Sequence, residues 1–237
     1  MSDNNIINGC FITGTDTGVG KTIICLALLE AFKRRGLRVA GMKPVASGCE
    51  KTAQGPRNED ALKILGKSTP GIDYRTVNPF ALALPAAPIL AARHERLNIT
   101  AEPILSAYNE LTINSDLLLV EGVGGWRIQL NDHLQMADIV KLLNLPVIMV
   151  VGLRLGCINH AILTAEAIRN DGCRLIGWIS NQIAPDYDDP EATAVLITKS
   201  INVPMLAGVP YLPQAKEEDV VPSMDRINIA GLRIRAD

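Results

Sequence analysis

The chain has 237 residues, long enough to bury a large core, and its 23 Lys plus Arg against 25 Asp plus Glu give a formal net charge of −2, without the basic excess that binding a nucleic-acid backbone requires. Five cysteines, Cys10, Cys25, Cys49, Cys157 and Cys173, are odd in number and form no C-x-x-C pair, which argues against a disulfide framework or zinc site and for small buried apolar residues. "MSDNNIINGCFITG" lacks the basic n-region of a secretory signal, and the most apolar stretch, 142–153, is interrupted by Asn144, Pro146 and Gly152, so a cytoplasmic protein with no membrane or nucleic-acid partner is expected.

The first apolar run, "GCFITG" (9–14), reads as a strand covered on both faces. It leads into "GTDTGVGKT" and a helical pattern over 20–36, with Ile24, Leu28, Ala31 and Phe32 on one face. Strand, Gly-rich turn and helix are the context of a phosphate-binding loop. The strict pattern G-x-x-x-x-G-K-[ST] wants glycine at Thr15, whereas this sequence has it one place earlier, at Gly14. Gly18 and Gly20 allow backbone N–H groups to face an anion, Lys21 reaches the outer phosphates, and Thr22 offers a hydroxyl to Mg²⁺. The helix ends in Lys33, Arg34, Arg35 and Gly36, which reads as a solvated basic end followed by a C′ glycine.

A second strand, 37–44, delivers "MKPVASG", placing Lys43 and Ser47 at the same sheet edge. Lys43 reads either as an exposed loop lysine or as a cation for a transferring phosphoryl group. "GPRNEDALKIL" starts a helix over 59–66 with Asn58 as N-cap and Asp60 in the first turn, where a carboxylate serves the dipole or a metal. Helices follow over 86–95 and 101–112, then a strand at 116–122. Glu121 closes that strand before a Gly-rich turn, "EGVGGW", a usual place for a carboxylate that holds Mg²⁺. A helix over 134–144, a strand at 146–152, a helix over 157–170, a strand at 173–181, a helix over 189–200 and a strand at 203–210 complete the alternation. Asn181 could pair with an adenine edge or form a turn. His94, His133 and His160 show no metal spacing, and Trp126 and Trp178 read as packing residues.

This alternation predicts a doubly wound, mostly parallel α/β sheet with helices on both faces, of the phosphate-loop NTPase type, as a single domain over 1–237. Ligands should therefore bind beyond the carboxyl ends of the strands.

The set "GTDTGVGKT", "KPVASG", "RNEDA", "VNPF", "EGVGGW", "LGCINHAILTAEAI" and "GVPYLP" resembles the dethiobiotin synthetases of biotin biosynthesis, in order from about residue 9 to about 213. The resemblance implies an ATP- and Mg²⁺-dependent ligase that closes a cyclic urea from 7,8-diaminononanoate and CO₂. It implies that Gly18, Val19, Gly20, Lys21, Thr22 and Ile23 hold the ATP phosphates, that Thr22, Asp60 and Glu121 hold Mg²⁺, and that Lys43 is catalytic. Ser47 would touch substrate. Glu121, Gly122, Val123, Gly124, Asn181, Gln182, Pro210, Tyr211, Leu212 and Glu217 match the nucleotide site, although Glu217 stands in an acidic run, "KEED", that reads as solvated surface. Family members are homodimers, so Asn159 in "GCINH" would reach the substrate's carboxylate tail in the partner subunit. Rival readings are a partner-regulated switch ATPase, whose signature lysine would fall at Asp16, and an amidating ligase, for which no Cys–His pair is well placed.

Overall fold

A computed structural model describes residues 9–214, 216–225 and 227; most of the N-terminal stretch read above for a targeting signal lies outside the described residues. Six strands form one parallel sheet: β1 (Gly9–Gly14), β2 (Val39–Met42), β7 (Leu117–Glu121), β8 (Val147–Leu153), β9 (Leu175–Gln182) and β10 (Met205–Val209), in the order β10-β9-β8-β1-β7-β2. The residues of β1, β2, β7 and β8 are buried throughout, as continuous apolar runs under helices on both faces require.

The helices are α1 (Lys21–Arg34), α2 (Glu59–Lys67), α3 (Tyr74–Val77), α4 (Pro88–His94), α5 (Ala101–Ile113), α6 (Met136–Leu142), α7 (Cys157–Asn170), α8 (Pro190–Ile201) and α9 (Glu217–Met224). One core packs α1, α2 and α9 against Ile12, Leu119, Ile148, Val150 and Ile179. The opposite face of the sheet packs Phe11, Leu118 and Val120 with α4, α5 and α6, and Met149, Val151 and Trp178 with α7 and α8. The chain leaves β1 toward β2 on one side and leaves β8 toward β9 on the other, so the crevice beyond their carboxyl ends opens beside β1.

The predicted strand at 37–44 is shorter in the fold. It leaves the main sheet at Met42, where the Lys43 N–H donates to the Val77 carbonyl at 2.8 Å, and continues as β3 (Val45–Ala46), paired parallel to β6 (Phe80–Ala81). A hairpin of β4 (Glu50–Thr52) and β5 (Gly55–Arg57) follows. The acidic run lies at the surface as expected, with Glu218 and Asp219 exposed, but the tail also forms a helix that none of the expected elements covers. The acidic run opens α9, whose Val220, Val221 and Met224 are buried in the α1 core. The basic end of α1 is exposed as expected, and Arg35 also donates from there to the carbonyls of Met224 (3.3 Å) and Ile227 (2.9 Å). Those donations tie the end of α1 to the C-terminal end of α9 and to Ile227 beyond it. Cys10, Cys25, Cys49 and Cys157 are buried and Cys173 partly so; burial pushes the Cys10 thiol up to about 12.

Candidate functional site

All six main strands run parallel, so their carboxyl ends meet at one edge, and the registers Ile12↔Glu121, Met42↔Val120 and Gly152↔Asn181 bring the sequence-predicted residues there. Between the loop after β1 and the turn after β7 lies a cleft of ≈ 340 Å³, lined by Lys21, Thr22, Lys43, Ser47, Asp60 and Glu121 together with Gly18, Gly20, Ile23 and Gly122 to Gly124.

The phosphate loop is built around its glycines. Gly20 is the N-cap of α1 at φ 92°, and Gly18 has φ 75°, conformations that favour glycine. Gly14 answers for the absence of glycine at Thr15. The loop folds back over it so closely that a Cβ there would stand 2.7 Å from Val19 Cγ2 and 3.1 Å from Lys21 Cδ. The glycine required where the loop turns under itself is therefore present, one residue early.

Lys21 is 7% exposed and donates from Nζ to the Asp16 carbonyl at 3.0 Å. Burial pulls its pKa down to about 8, opposed in part by the charge of Glu121. Lys43, 6% exposed, lies differently: its Nζ is 2.6 Å from Asp60 Oδ2 and 2.7 Å from Glu121 Oε1. Burial acts to lower its pKa, yet Glu121 and Asp60 outweigh that effect and hold it above the ordinary lysine value. Two buried lysines in the same cleft thus differ in kind. Lys21 is a charge in want of an anion, and Lys43 is a charge locked between two.

Glu121 is 1% exposed. Its Oε1 accepts from Thr22 Oγ1 at 2.8 Å and from Lys43, while Oε2 is buried with no hydrogen-bond partner among the described residues. A buried, unshared carboxylate oxygen is costly unless something electropositive takes it. Thr22, Asp60 and Glu121 supply two carboxylates and a hydroxyl. Such a set suits Mg²⁺, which takes its other ligands from phosphates and water.

Asp60 is placed by the start of α2, where the Asn58 side chain caps the helix by accepting from Ala61 N–H at 3.1 Å. A buried chain of contacts missed in the sequence reading ties that start to Lys43. Asn58 N–H donates to Tyr74 Oη (2.8 Å), Tyr74 O–H donates to Asn78 Oδ1 (2.9 Å), and Asn78 Nδ2 donates to the Lys43 carbonyl (2.7 Å). "VNPF" contains Asn78, and a polar residue just before a proline after a short helix was the one available signal. Asp16, which stands where a switch ATPase would carry lysine, is an ion-pair partner of Arg154.

The adenine end is less complete. Asn181 lies 8% exposed with Nδ2 donating to the Val19 carbonyl at 2.9 Å, so its amide nitrogen braces the phosphate loop. Gln182 and Pro210 line a separate, largely apolar groove between α8 and the β9–β10 edge. Tyr211 is exposed, Leu212 packs on the α1 core, and Glu217 pairs with Lys67 at 3.5 Å, away from the cleft lining. Asn159 is exposed in the first turn of α7 and does not line the cleft.

A family model described as an AAA domain matches residues 8–219. The fold is similar to a chain of the MinC:MinD cell division protein complex from Aquifex aeolicus (TM-score 0.56, 16% identity, 92% of this chain and 86% of that one). It is likewise similar to a ParA family ATPase from Chlorobium tepidum (TM-score 0.56, 13% identity, 92% and 91%). At those identities the likeness speaks to the fold alone. Sequence similarity goes further: the ATP-dependent dethiobiotin synthetase BioD of Xanthomonas euvesicatoria is 49% identical over 205 residues, 86% of this chain and 92% of the relative. That of Vibrio vulnificus is 43% identical over 210 residues, 89% and 92%. The chain belongs to the ATP-dependent dethiobiotin synthetase family, built on the parallel α/β phosphate-loop fold.

Proposed function

We propose that the cleft closes the cyclic urea of dethiobiotin in three steps. One amine of 7,8-diaminononanoate adds to CO₂ as a carbamate. The carbamate oxygen then attacks the γ-phosphorus of ATP and releases ADP, and the second amine attacks the carbonyl carbon of the mixed anhydride and expels phosphate. The observation that carries this reading is Lys43, a buried ammonium within 2.7 Å of Asp60 and Glu121 beside the phosphate loop. A cation held at that place is suited to the negative charge spread over a phosphoryl group in transfer.

In this reading Lys21 and the N–H groups from Gly18 to Ile23 hold the outer phosphates, with the α1 N-terminus adding favourable potential. Thr22, Asp60 and Glu121 would hold Mg²⁺, supported by the unshared Glu121 Oε2; when bound, the ion neutralises phosphate charge. Ser47, on the cleft wall beside Lys43, orients the diamine. Gly122 to Gly124 and Asn181 form the nucleotide wall; Gln182, the segment from Pro210 to Leu212, and Glu217, which stand outside the cleft lining, are assigned to the base by likeness to the family alone. Asn159 is exposed outside the cleft, which supports a homodimer in which it serves the other subunit's substrate. Mostly buried free thiols suit a reducing cytoplasm. Asp16, engaged by Arg154, cannot act as the cation of a switch ATPase.

The test is ADP release by the purified protein with each reactant omitted in turn. Release that needs the diamine and bicarbonate together supports the reading. Full turnover with ATP alone, or stimulation only by a protein or membrane partner, overturns it.

A further inference from the structure

The Gly-rich turn after β7 is held at a point that the proposed reaction does not use. Its N-terminal end is fixed by Gly122 N–H donating to the Ile12 carbonyl at 3.0 Å. Gly122 to Gly124 face the cleft, and Gly125 lies against the phosphate-loop backbone, where a Cβ would stand 3.7 Å from the Gly14 carbonyl oxygen. The next two residues both reach one carboxylate. Trp126 Nε1 donates to Asp171 Oδ2 at 2.7 Å, and an Arg127 guanidinium nitrogen lies 3.0 Å from Asp171 Oδ1.

Two features separate this contact from ordinary surface pairing. Asp171 is the C-cap of α7, the end of a helix where a negative charge is disfavoured by the dipole, so its carboxylate is kept there against the local field. Its side chain is only 17% exposed, and the indole it holds is 3% exposed and set edge-on to Phe11, with ring centroids 6.3 Å apart. Phe11 also lies directly under the turn, since a Cβ on Gly122 would stand 2.7 Å from its Cζ. The partly buried carboxylate, the buried indole and the Phe11 ring therefore form one contiguous row of contacts beneath the glycines.

From this we infer that Asp171 is a positioning residue for the nucleotide wall: through Trp126 and Arg127 it sets the height of Gly122 to Gly124 over the phosphate loop. Three near-consecutive glycines have no side chains with which to fix themselves, so the anchor must come from the residues that follow. The inference rests on the proposed assignment of this turn to the nucleotide site.

The test is ADP affinity by calorimetric titration of the purified full chain, at a temperature where every variant is folded. Asp171→Ala is expected to weaken ADP binding about tenfold, in line with the cost of a small misplacement of binding groups. Asp171→Asn, whose amide oxygen still accepts from Trp126, restores most of that loss. Trp126→Phe reproduces the part of the loss that runs through the indole, and the double variant Asp171→Ala/Trp126→Phe is no weaker than Asp171→Ala alone, because that variant already removes the indole's contact. Gly124→Ala runs alongside; its φ of 61° and the 2.9 Å approach of Ile128 Cδ1 make it a direct distortion of the wall. If Gly124→Ala weakens ADP and Asp171→Ala lowers only the unfolding midpoint, the Asp171 inference alone is overturned. If neither variant changes ADP affinity, the assignment of the turn to the nucleotide site fails and the inference fails with it.

Discussion

Lys21→Met should make the protein more stable and less able to bind nucleotide. Burial holds the Lys21 ammonium at a pKa of about 8 against an ordinary 10.5. At about 1.4 kcal/mol for each tenfold in proton affinity, the charged form costs the fold about 3 kcal/mol near neutral pH. Methionine fills a similar volume without the charge but forfeits the donation to the Asp16 carbonyl, worth about 1 kcal/mol. The net expectation is a gain of about 2 kcal/mol at pH 7. The sign with pH follows from linkage. Between about 8 and 10.5 the unfolded chain binds more protons at this lysine than the folded one, so wild-type stability rises with pH across that window, and the advantage of Lys21→Met shrinks. Urea unfolding at pH 7, 8, 9 and 10 measures both trends. ADP titration at pH 7 should show a loss of about 1.5–3 kcal/mol, that of a hydrogen bond to a charged group. A variant less stable than wild type at pH 7, or a stability difference that stays flat with pH, would refute the view that Lys21 is a desolvated charge awaiting phosphate.

Lys43→Ala should abolish ring closure while leaving ADP binding largely intact; a loss of ADP affinity as large as that of Lys21→Met would reassign Lys43 to nucleotide binding. The same variant leaves Glu121 buried without its cation and should cost about 3–5 kcal/mol in urea unfolding. Asn58→Ala removes the α2 cap, lowering stability by about 1 kcal/mol and raising the Mg²⁺ concentration needed for half-maximal turnover, because Asp60 lies in the first turn that the cap fixes. Arg35→Ala should free α9 from the end of α1, seen as faster amide hydrogen exchange across 217–225, with kcat unchanged.

How much of this could be read in the sequence depended on distance along the chain. Strands β1, β7 and β8 announce themselves as unbroken apolar runs, and the residue following or ending such a run in a parallel sheet must lie at the ligand edge. Lys43, Glu121 and the phosphate loop were legible for that reason. Asn58 and Asp60 were legible because a capped helix start is a local pattern. The two-residue pair β3–β6 has no periodicity to detect, and Asn78 acts on Lys43 across 35 positions. Helix α9 was hidden by its first turn: Glu217, Glu218 and Asp219 look solvated, and only the packing of Val220, Val221 and Met224 on α1 makes the segment part of the core. The Arg154–Asp16 and Trp126–Asp171 contacts join positions 138 and 45 residues apart, and neither partner carries a local signature.

The central claim is that the buried Lys43–Asp60–Glu121 group beside the phosphate loop serves urea-ring closure. Mass detection of product with ¹³C-bicarbonate, ATP, Mg²⁺ and 7,8-diaminononanoate tests it most directly, in wild type and Lys43→Ala side by side. The account predicts dethiobiotin carrying one ¹³C atom, formed in step with ADP by the wild type and absent from Lys43→Ala. ADP released without labelled dethiobiotin, or labelled product formed at the wild-type rate by Lys43→Ala, would contradict it.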